Sequence, residues 1–435
     1  GGLMPNPVVE IEDGEAFYED VYPYRGVPRV LASDTKIAGN LEKIYLTDTT
    51  LRDGQQGSRP FTVKECELIY ELLADIGKDG AIYSTELFLY TEKDKTAVKS
   101  LREYGYRYPK VIGWIRATRE DVQLLLDTGL DETVVLMSIS DYHVKYKFNS
   151  TRSRVVSKYL EVAELLLSRG IAVRASLEDV TRANVRGVVI PFIKSLLRLS
   201  ERYATPLIIK LPDTLGLGLP FPEIPLPRGI PALVETIISE TGLRPEQLEF
   251  HGHNDFGLVV ANHLAAWLHG AAGSNCTLLG IGERAGNCPL EVMAIHYAGI
   301  RGEGSINLKA ISRMPELFGK LGFSVPEHYP LVGRNAFRTK AGIHVDGLLK
   351  NPRVYLPFDP LEVLGIPYSM EVTPYSGRSA VVAWIKKNLG IDVDKTDPRV
   401  EVVYREVISA FKGDGKARPL SDEELLEIVK RYFDA

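Results

Sequence analysis

The sequence predicts an α/β fold, a closed (β/α)₈ TIM barrel, with an N-terminal extension and a smaller, mainly helical C-terminal region. From residue 44 to about 302, short apolar, β-rich runs alternate with amphipathic helical stretches. Eight such repeats over ~250 residues are typical of this barrel. A doubly wound open sheet is the alternative, but the Gly-rich motif expected after its first strand is missing.

The predicted elements follow one another along the chain as strand, helix, strand. The strands are expected at 44–48, 81–87, 110–115, 133–139, 171–177, 206–211, 248–252 and 275–280. The helices are expected at 63–76, 92–104, 119–128, 151–169, 185–203, 229–241 and 257–271. We therefore expect an extension over 1–40, the barrel over 41–302 and the C-terminal region over 303–435, where Ser421 precedes an acidic first helical turn.

Composition excludes several classes of partner. With 52 basic and 57 acidic residues the net charge is −5, which predicts no nucleic-acid partner. No run of ~18 apolar residues occurs, and the N-terminus lacks the pattern of a signal peptide, so we expect no membrane partner and a cytoplasmic location. The three cysteines are odd in number and widely spaced, which indicates a reduced protein without a disulfide framework.

Two motifs place metal-ligating side chains at strand ends. "TLRDGQQ" puts Arg52 and Asp53 directly after the first strand, and "EFHGHND" puts His251 and His253 on the seventh. Residues at i and i+2 on a strand face the same side, and strands one and seven are near neighbours in a closed barrel. A lone histidine is usually structural, whereas two imidazoles and a carboxylate together predict a divalent-metal site with open positions.

The fifth strand carries Arg174, Ser176 and Glu178 on one face, which should line the barrel interior. A buried, unpaired guanidinium would be costly, so Arg174 needs a partner. We expect a carboxylate of the substrate, bound bidentately, with an internal salt bridge to a glutamate such as Glu86 as the alternative. Arg116 and His143 are secondary candidates for the same pocket.

Two further segments carry polar groups among glycines. "GIGERAGNCPLE" follows the eighth strand and contains Gly282, Glu283 and Asn287, either as a functional loop or as a loop that closes the barrel. "KAGIHVDGLLKN" contains His344, which is either functional or a satisfied core histidine.

Four motifs in this order, "DTTLRDGQQ", "EFHGHNDFG", "GIGERAGNCPLE" and "KAGIHVDGLLKN", resemble the acyl-CoA-condensing TIM-barrel metalloenzymes, the isopropylmalate, homocitrate and citrate synthases. The resemblance implies condensation of acetyl-CoA with a 2-oxo acid, followed by thioester hydrolysis. Segments such as "STELFLY", "GWIRA" and "SISDYH" look most like the Re-face citrate synthases, which implies oxaloacetate, a dicarboxylic acid whose distal carboxylate Arg174 would bind. Homocitrate synthase with 2-oxoglutarate is the alternative, followed by isopropylmalate synthase with 2-oxoisovalerate.

The resemblance also implies roles on the metal side of the reaction. Asp53, His251 and His253 would hold a divalent ion that polarises the ketone, with Mn²⁺, Mg²⁺, Co²⁺ and Zn²⁺ all open. Asn287 is a further near-metal candidate, as ligand or through water. Arg52 would meet the ketone oxygen as it becomes an alkoxide.

On the acetyl-CoA side, His344 matches the family's catalytic base, and Glu178 matches the carboxylate that pairs with it. Thr214 matches the residue that binds the carboxylate of the 2-oxo acid. The loop with Gly282, Glu283 and Asn287 is expected on the CoA side. Tyr355 matches a family tyrosine that acts across a homodimer, or else it anchors the connector to the surface.

Two alternative classes remain. One is a lyase of the same barrel that cleaves hydroxymethylglutaryl-CoA, although its Cys-containing Gly loop is not seen and "GERAGN" favours the synthases. The other is a non-catalytic barrel, which would be expected to have lost Asp53, His251 or His344.

Overall fold

The computed structural model describes residue 8, residues 11–34, 37, 40–411 and 419–433. The chain forms two compact units. One is Val30–Leu321, and the other combines Gly1–Arg29 with Gly322–Ala435. In the described part of the chain, no helix has both the length and the apolar composition needed to cross a membrane.

The first unit contains a closed parallel barrel in which each strand pairs with the next and β8 pairs with β1. The predicted (β/α)₈ fold is therefore confirmed. Its strands are β1 Tyr45–Asp48, β2 Ile82–Leu87, β3 Lys110–Arg116, β4 Glu132–Leu136, β5 Ala172–Ser176, β6 Leu207–Asp213, β7 Leu248–Gly252 and β8 Gly273–Cys276.

The last strand lies earlier than predicted. β8 ends at Cys276 because Thr277 turns to bond with a later segment: its N–H donates to the carbonyl of Cys288 at 3.0 Å. Leu279 then adopts a positive φ of 58°, which no strand can contain. Residues 277–280 therefore belong to the loop at the carboxyl end of the barrel.

The helices of this unit cover the barrel. They are α1 Val63–Gly77, α2 Glu92–Glu103, α3 Arg119–Thr128, α4 Arg152–Leu167, α5 Ile190–Tyr203, α6 Ile230–Thr241, α7 Val259–His269, α8 Leu290–Arg301 and α9 Met314–Lys320. α1 to α4 each begin after a threonine whose hydroxyl accepts a first-turn N–H. This cap satisfies a backbone donor that the helix leaves unpaired, and so sets where each helix starts.

The barrel unit extends beyond residue 302, the predicted boundary. Ile306, Ile311 and Phe318 are buried, and the N–H of Asn307 donates to the carbonyl of Ile76 at the end of α1 at 2.8 Å. The apolar residues after α8 pack against the barrel's own helices, so the compact unit ends at Leu321. Its start at residue 30 likewise precedes the predicted residue 41.

Charged side chains cross the barrel interior, where aliphatic layers are usual. Lys210 is fully buried, and its Nζ lies 3.1 Å from Oε2 of Glu86 and 3.9 Å from Oε1 of Glu249. A buried charge is tolerated only when it is paired, and these residues pair with one another across the barrel.

The second unit contains α10 Gly342–Lys350, α11 Pro360–Leu364, α12 Gly377–Leu389, α13 Pro398–Ala410 and α14 Asp422–Val429, with a short parallel pair of strands, β9 Arg338–Thr339 and β10 Ser369–Met370. Val345, Val403 and Phe433 are among its buried core residues. Ser421 caps α14 with a full capping box to Glu424, as the sequence predicts.

Candidate metal centre and substrate cavity

The carboxyl end of β1 continues into a π-helical turn, Thr50–Gly54, that carries Arg52 and Asp53. The Oγ1 atom of Thr49 accepts the backbone N–H of Asp53 at 3.3 Å and donates to Glu86 at 2.6 Å. Both charged side chains of the turn are buried, so each requires a partner. The turn therefore fixes two charges at the mouth of the barrel.

Asp53, His251 and His253 converge on one point. Nε2 of His251 lies 3.3 Å from Oδ2 of Asp53 and 3.2 Å from Nε2 of His253, and Nε2 of His253 lies 3.7 Å from the same carboxylate oxygen. Three donors at ~2.1 Å from a single ion would lie about 3.0–3.4 Å apart. Two of the three distances lie in this range and the third exceeds it by 0.3 Å, so a small shift of one side chain would let the three atoms hold one metal ion.

The surroundings of the two imidazoles leave them suited to bind metal. Nδ1 of His251 lies 2.6 Å from Oδ1 of Asn275, an acceptor, so the proton sits on Nδ1 and the lone pair of Nε2 faces the centre. Burial, followed by the nearby His251, lowers the pKa of His253 to about 4. Burial acts to raise the pKa of Asp53, but Arg52 and both histidines outweigh it and hold that pKa well below its usual range.

Asn287 contacts this centre through Asp53. Its Nδ2 donates to Oδ2 of Asp53 at 2.7 Å, and its Oδ1 faces Gly282, where an added Cβ would lie 1.7 Å away. Gly282 is therefore required by the side chain of Asn287. In this arrangement the amide orients the carboxylate of Asp53, and its oxygen is turned towards the loop.

Arg52 lies beside the centre with its guanidinium held on three sides. Nε and Nη2 donate to Oε1 of Glu86 at 3.0 and 2.8 Å, and Nη1 lies 3.3 Å from Oδ1 of Asp53. The guanidinium also stacks 5.2 Å from the ring centre of Trp114. Burial acts to raise the pKa of Glu86, but Lys210 and Arg52 overcome it and lower that pKa to about 2.

A cavity of about 310 Å³ is lined by Arg52, Asp53, His251 and His253. Of the predicted site residues, it also contains Ser176, Glu178, Thr214 and Glu283. The residues that sequence reasoning missed in this lining are Gln56, Trp114, Leu136, Lys147, Pro212 and Arg284. Two of them could have been found from the sequence, because they lie close to predicted candidates. Trp114 lies two positions before Arg116 on β3, and Lys147 lies four positions after His143.

Glu178 is anchored by a neighbouring loop. The hydroxyl of Ser138 donates to its Oε2 at 2.6 Å, and Nζ of Lys147 lies 3.4 Å from the same oxygen. Nδ1 of His143 lies 3.9 Å from Oε1, too far for a hydrogen bond. His143 thus lies next to the carboxylate of Glu178 without bonding to it. Thr214 is held by a different contact: its hydroxyl accepts the backbone N–H of Asp179 at 2.8 Å.

Arg174 is placed differently from the expectation. Its guanidinium pairs with Oε2 of Glu132 and Oε2 of Glu249, each at 3.0 Å, and stacks over Tyr83. It lines a separate cavity at the amino end of the barrel, formed by the starts of the strands. The internal salt bridge is therefore what the structure contains, with Glu132 and Glu249 in place of Glu86. This corrects the assignment of Arg174 to the substrate's distal carboxylate.

Arg116 is also absent from the described lining of the substrate cavity. It makes two bonds to Asp121, at 3.1 and 3.0 Å, and stacks over Tyr90. Its side chain is 60% exposed. The side chain at the last position of β3 thus turns to the first turn of α3, which corrects its assignment as a pocket residue.

His344 and Tyr355 belong to the second compact unit. His344 lies on α10, Tyr355 follows the 3₁₀ turn Pro352–Val354, and their ring centres are 4.4 Å apart. Gly347 permits this contact, because an added Cβ there would lie 2.4 Å from the ring of Tyr355. Their catalytic roles stay predictions.

The fold and the site define a class of protein. It is the class of closed (β/α)₈ barrels that bring one carboxylate and two imidazoles together at the carboxyl ends of the strands, where they could hold a metal ion. The family model described as "HMGL-like" matches residues 43–317, more than half of the chain. The chain therefore belongs to the HMGL-like family. A second model, "Homocitrate synthase post-HMGL domain-like", matches residues 331–412.

The chain is 39% identical to the citrate (Re)-synthase of Clostridium kluyveri over 96% of this chain and 94% of that protein. It is 37% identical to the citrate (Re)-synthase of Syntrophus aciditrophicus, over 95% and 67% of the two chains, and 30% identical to the homocitrate synthase AksA of Methanothermobacter thermautotrophicus, over 89% and 94%. These similarities confirm the predicted resemblance.

Among solved structures, hydroxymethylglutaryl-CoA lyase from Pseudomonas aeruginosa superposes with a TM-score of 0.52 at 19% identity, covering 65% of this chain and 94% of that one. At 19% identity, this match supports the fold and nothing further.

Proposed function

We propose that this protein is an acyltransferase that condenses acetyl-CoA with oxaloacetate to citrate, like the citrate (Re)-synthases that it resembles. The observation that carries the proposal is the convergence of Asp53, His251 and His253 beside Arg52 in one cavity. In the reaction the methyl carbon of acetyl-CoA bonds to the ketone carbon, and water then cleaves the thioester to release CoA.

Two imidazole nitrogens and a carboxylate are a donor set that suits a divalent ion, so Asp53, His251 and His253 would hold one. When bound, such an ion supplies Lewis-acid polarisation of the ketone. Arg52 donates to the ketone oxygen as negative charge develops there. Glu86 and the ring of Trp114 keep the plane of its guanidinium fixed for that task. Mn²⁺, Mg²⁺, Co²⁺ and Zn²⁺ remain candidates, to be distinguished by metal replacement.

The remaining roles follow the family resemblance. Thr214 binds the carboxylate of the 2-oxo acid that lies next to the ketone, and Ser176, which lines the same cavity, contacts the substrate. His344 removes the proton from the methyl group of acetyl-CoA, assisted by Glu178, and Tyr355 acts beside it. The loop with Gly282 and Glu283 faces CoA. The enzyme is cytoplasmic and works as a homodimer, and sedimentation analysis will test the dimer.

Thiol release from acetyl-CoA tests the reaction directly. Purified protein is given oxaloacetate, 2-oxoglutarate, 2-oxoisovalerate or pyruvate, each with Mn²⁺, Mg²⁺, Co²⁺ or Zn²⁺, and the product is identified by mass. We expect the highest kcat/KM with oxaloacetate, and citrate as product. Highest activity with 2-oxoglutarate would make the protein a homocitrate synthase. Cleavage of hydroxymethylglutaryl-CoA to acetoacetate without any condensation would contradict the synthase reading.

The base is tested by His344→Ala. We expect turnover to fall ~10²–10⁴-fold, because a general base contributes about that factor. The dissociation constant for oxaloacetate, measured by calorimetry, should stay near that of the wild type, because the base acts on the other substrate. His328→Ala is the matched control. Near-normal turnover of His344→Ala would remove this residue from the mechanism.

A further inference from the structure

A cavity that accepts a dicarboxylic 2-oxo acid needs a cation for the distal carboxylate, and Arg174 does not provide it. We propose that Lys147 binds the distal carboxylate and so sets the preference for dicarboxylic acids. This inference rests on the proposed function, which supplies the class of substrate. It is carried by the charges of the cavity and by the contacts that each one already makes.

The two arginines of the cavity are already paired. Arg52 makes two bonds to Glu86 and lies 3.3 Å from Asp53. Arg284 bonds both oxygens of Asp255, at 2.7 and 3.1 Å. Moving Arg284 to the distal carboxylate would take from the partly buried Asp255 both of these bonds, which is costly. Arg52 is already assigned to the ketone oxygen, and moving it further would break its two bonds to the buried Glu86.

Lys147 makes weak contacts with the described residues, one of which places its Nζ 5.5 Å from the ring centre of Phe148. Its Nζ lies 3.4 Å from Oε2 of Glu178 and 3.5 Å from Oγ of Ser138, both at the limit of a hydrogen bond. Glu178 does not depend on it, because Ser138 donates to the same oxygen at 2.6 Å. The ammonium group can therefore turn to a substrate carboxylate at the cost of one long, partly exposed ion pair, while Glu178 keeps the hydrogen bond from Ser138.

The position of Lys147 also suits this role. It ends the π-helical turn His143–Lys147, which lies in the loop after β4, and its side chain is 45% exposed. A flexible four-carbon chain with three donors can adapt to a carboxylate that enters from solvent. The neighbouring walls, Trp114 and Leu136, are largely apolar and offer no second cation.

The test compares Lys147→Met with Lys145→Met, an exposed lysine on the same turn whose Nζ lies over the ring of Tyr146. For each variant, KM, kcat and the calorimetric dissociation constant are measured with oxaloacetate and with pyruvate, which lacks the distal carboxylate. We expect Lys147→Met to raise KM and the dissociation constant for oxaloacetate ~10–100-fold, as for loss of a charged hydrogen bond. Values for pyruvate should change less than ~3-fold, and Lys145→Met should resemble the wild type. Lys147→Arg should restore most of the affinity for oxaloacetate.

If Lys147→Met weakens binding of oxaloacetate and pyruvate equally, Lys147 acts by supporting Glu178 and the proposal is overturned. Unchanged affinity for oxaloacetate would overturn it as well. Circular dichroism verifies folding, and Lys147→Gln provides a second neutral variant of similar length if Lys147→Met does not fold. The proposed function fails separately: wild-type protein that condenses 2-oxoisovalerate but no dicarboxylic acid overturns it. Activity of the wild type on oxaloacetate together with an unaltered Lys147→Met overturns only the role of Lys147.

Discussion

Arg52 and Arg174 look alike as isolated side chains, yet the barrel uses them at opposite ends. Both are more than nine-tenths buried, both pair with two carboxylates and both stack on aromatic rings. Arg52 lies at the carboxyl ends of the strands beside Asp53, whereas Arg174 lies near their amino ends. Under the proposed function, depth along the barrel axis, and not burial or charge, decides which arginine can meet a substrate.

The two ends differ in what surrounds each arginine. The carboxyl end brings together Asp53, His251 and His253, which could hold a metal ion, and a cavity with Ser176 and Thr214. The amino end has a cavity of about 560 Å³ whose walls include Tyr45, Tyr83 and Tyr108. Active sites of such barrels lie at the carboxyl end, while the other end contributes to stability. The predictions below are ordered by the size of the expected effect.

The largest effect should follow removal of the carboxylate next to Arg52. Asp53→Ala takes away one of three converging donors and leaves the Arg52 charge with a single partner. We expect metal affinity to fall at least ~100-fold and turnover to become undetectable, as measured by calorimetry with Mn²⁺ or Zn²⁺ and by thiol release. Asp141→Ala, at an exposed ion pair with Arg152, is the control. Unchanged metal affinity would show that the metal binds elsewhere.

Arg52→Met should come next. Removing a donor aimed at a developing alkoxide typically lowers kcat ~10²–10³-fold. The dissociation constant for the metal should change far less, because Arg52 supplies no metal ligand. Steady-state kinetics and metal titration on the same preparation measure both quantities. A change confined to metal affinity would contradict the proposed role at the ketone oxygen.

Arg174→Met should act on stability and not on chemistry. Breaking a buried ion pair by removing one partner costs ~3–5 kcal/mol, because Glu132 and Glu249 are left buried without it. We expect the free energy of unfolding in urea to fall by that amount while kcat/KM of the folded enzyme stays within ~3-fold. Selective loss of activity on dicarboxylic acids, with stability intact, would return Arg174 to the substrate.

Arg116→Ala should have the smallest effect. Arg116 is 60% exposed but Asp121 is buried, and after the change Asp121 keeps the bonds from the Tyr90 hydroxyl and the backbone N–H of residue 116, so we expect a stability loss of only ~1–2 kcal/mol. Turnover with oxaloacetate should match that of the wild type, since Arg116 lies outside the described lining of the cavity. A rise of more than tenfold in KM would mean that this side chain turns to the substrate after all.

The barrel itself and the convergence of Asp53, His251 and His253 could be predicted from the sequence. Alternation of strands and helices is local, and parallel strands in sequential order leave β1 and β7 separated by a single strand. The i, i+2 rule then makes His251 and His253 face the same side as the carboxylate at the end of β1. Only the ends were misplaced: β8 stops where Thr277 bonds to Cys288, a contact between segments eleven residues apart.

The tertiary structure alone decided the roles of the remaining charges. Alternation along β5 correctly sends Arg174 and Ser176 inward, but it does not say how far each lies from the barrel mouth. The partners of Arg174 come from β4 and β7, 42 and 75 residues away in sequence. The loop after β4 delivers Lys147 to the cavity, whereas Arg116 leaves it for a carboxylate five residues ahead. A sequence determines which side of a strand a residue occupies; which charge it meets depends on strands and loops that only the folded barrel brings together.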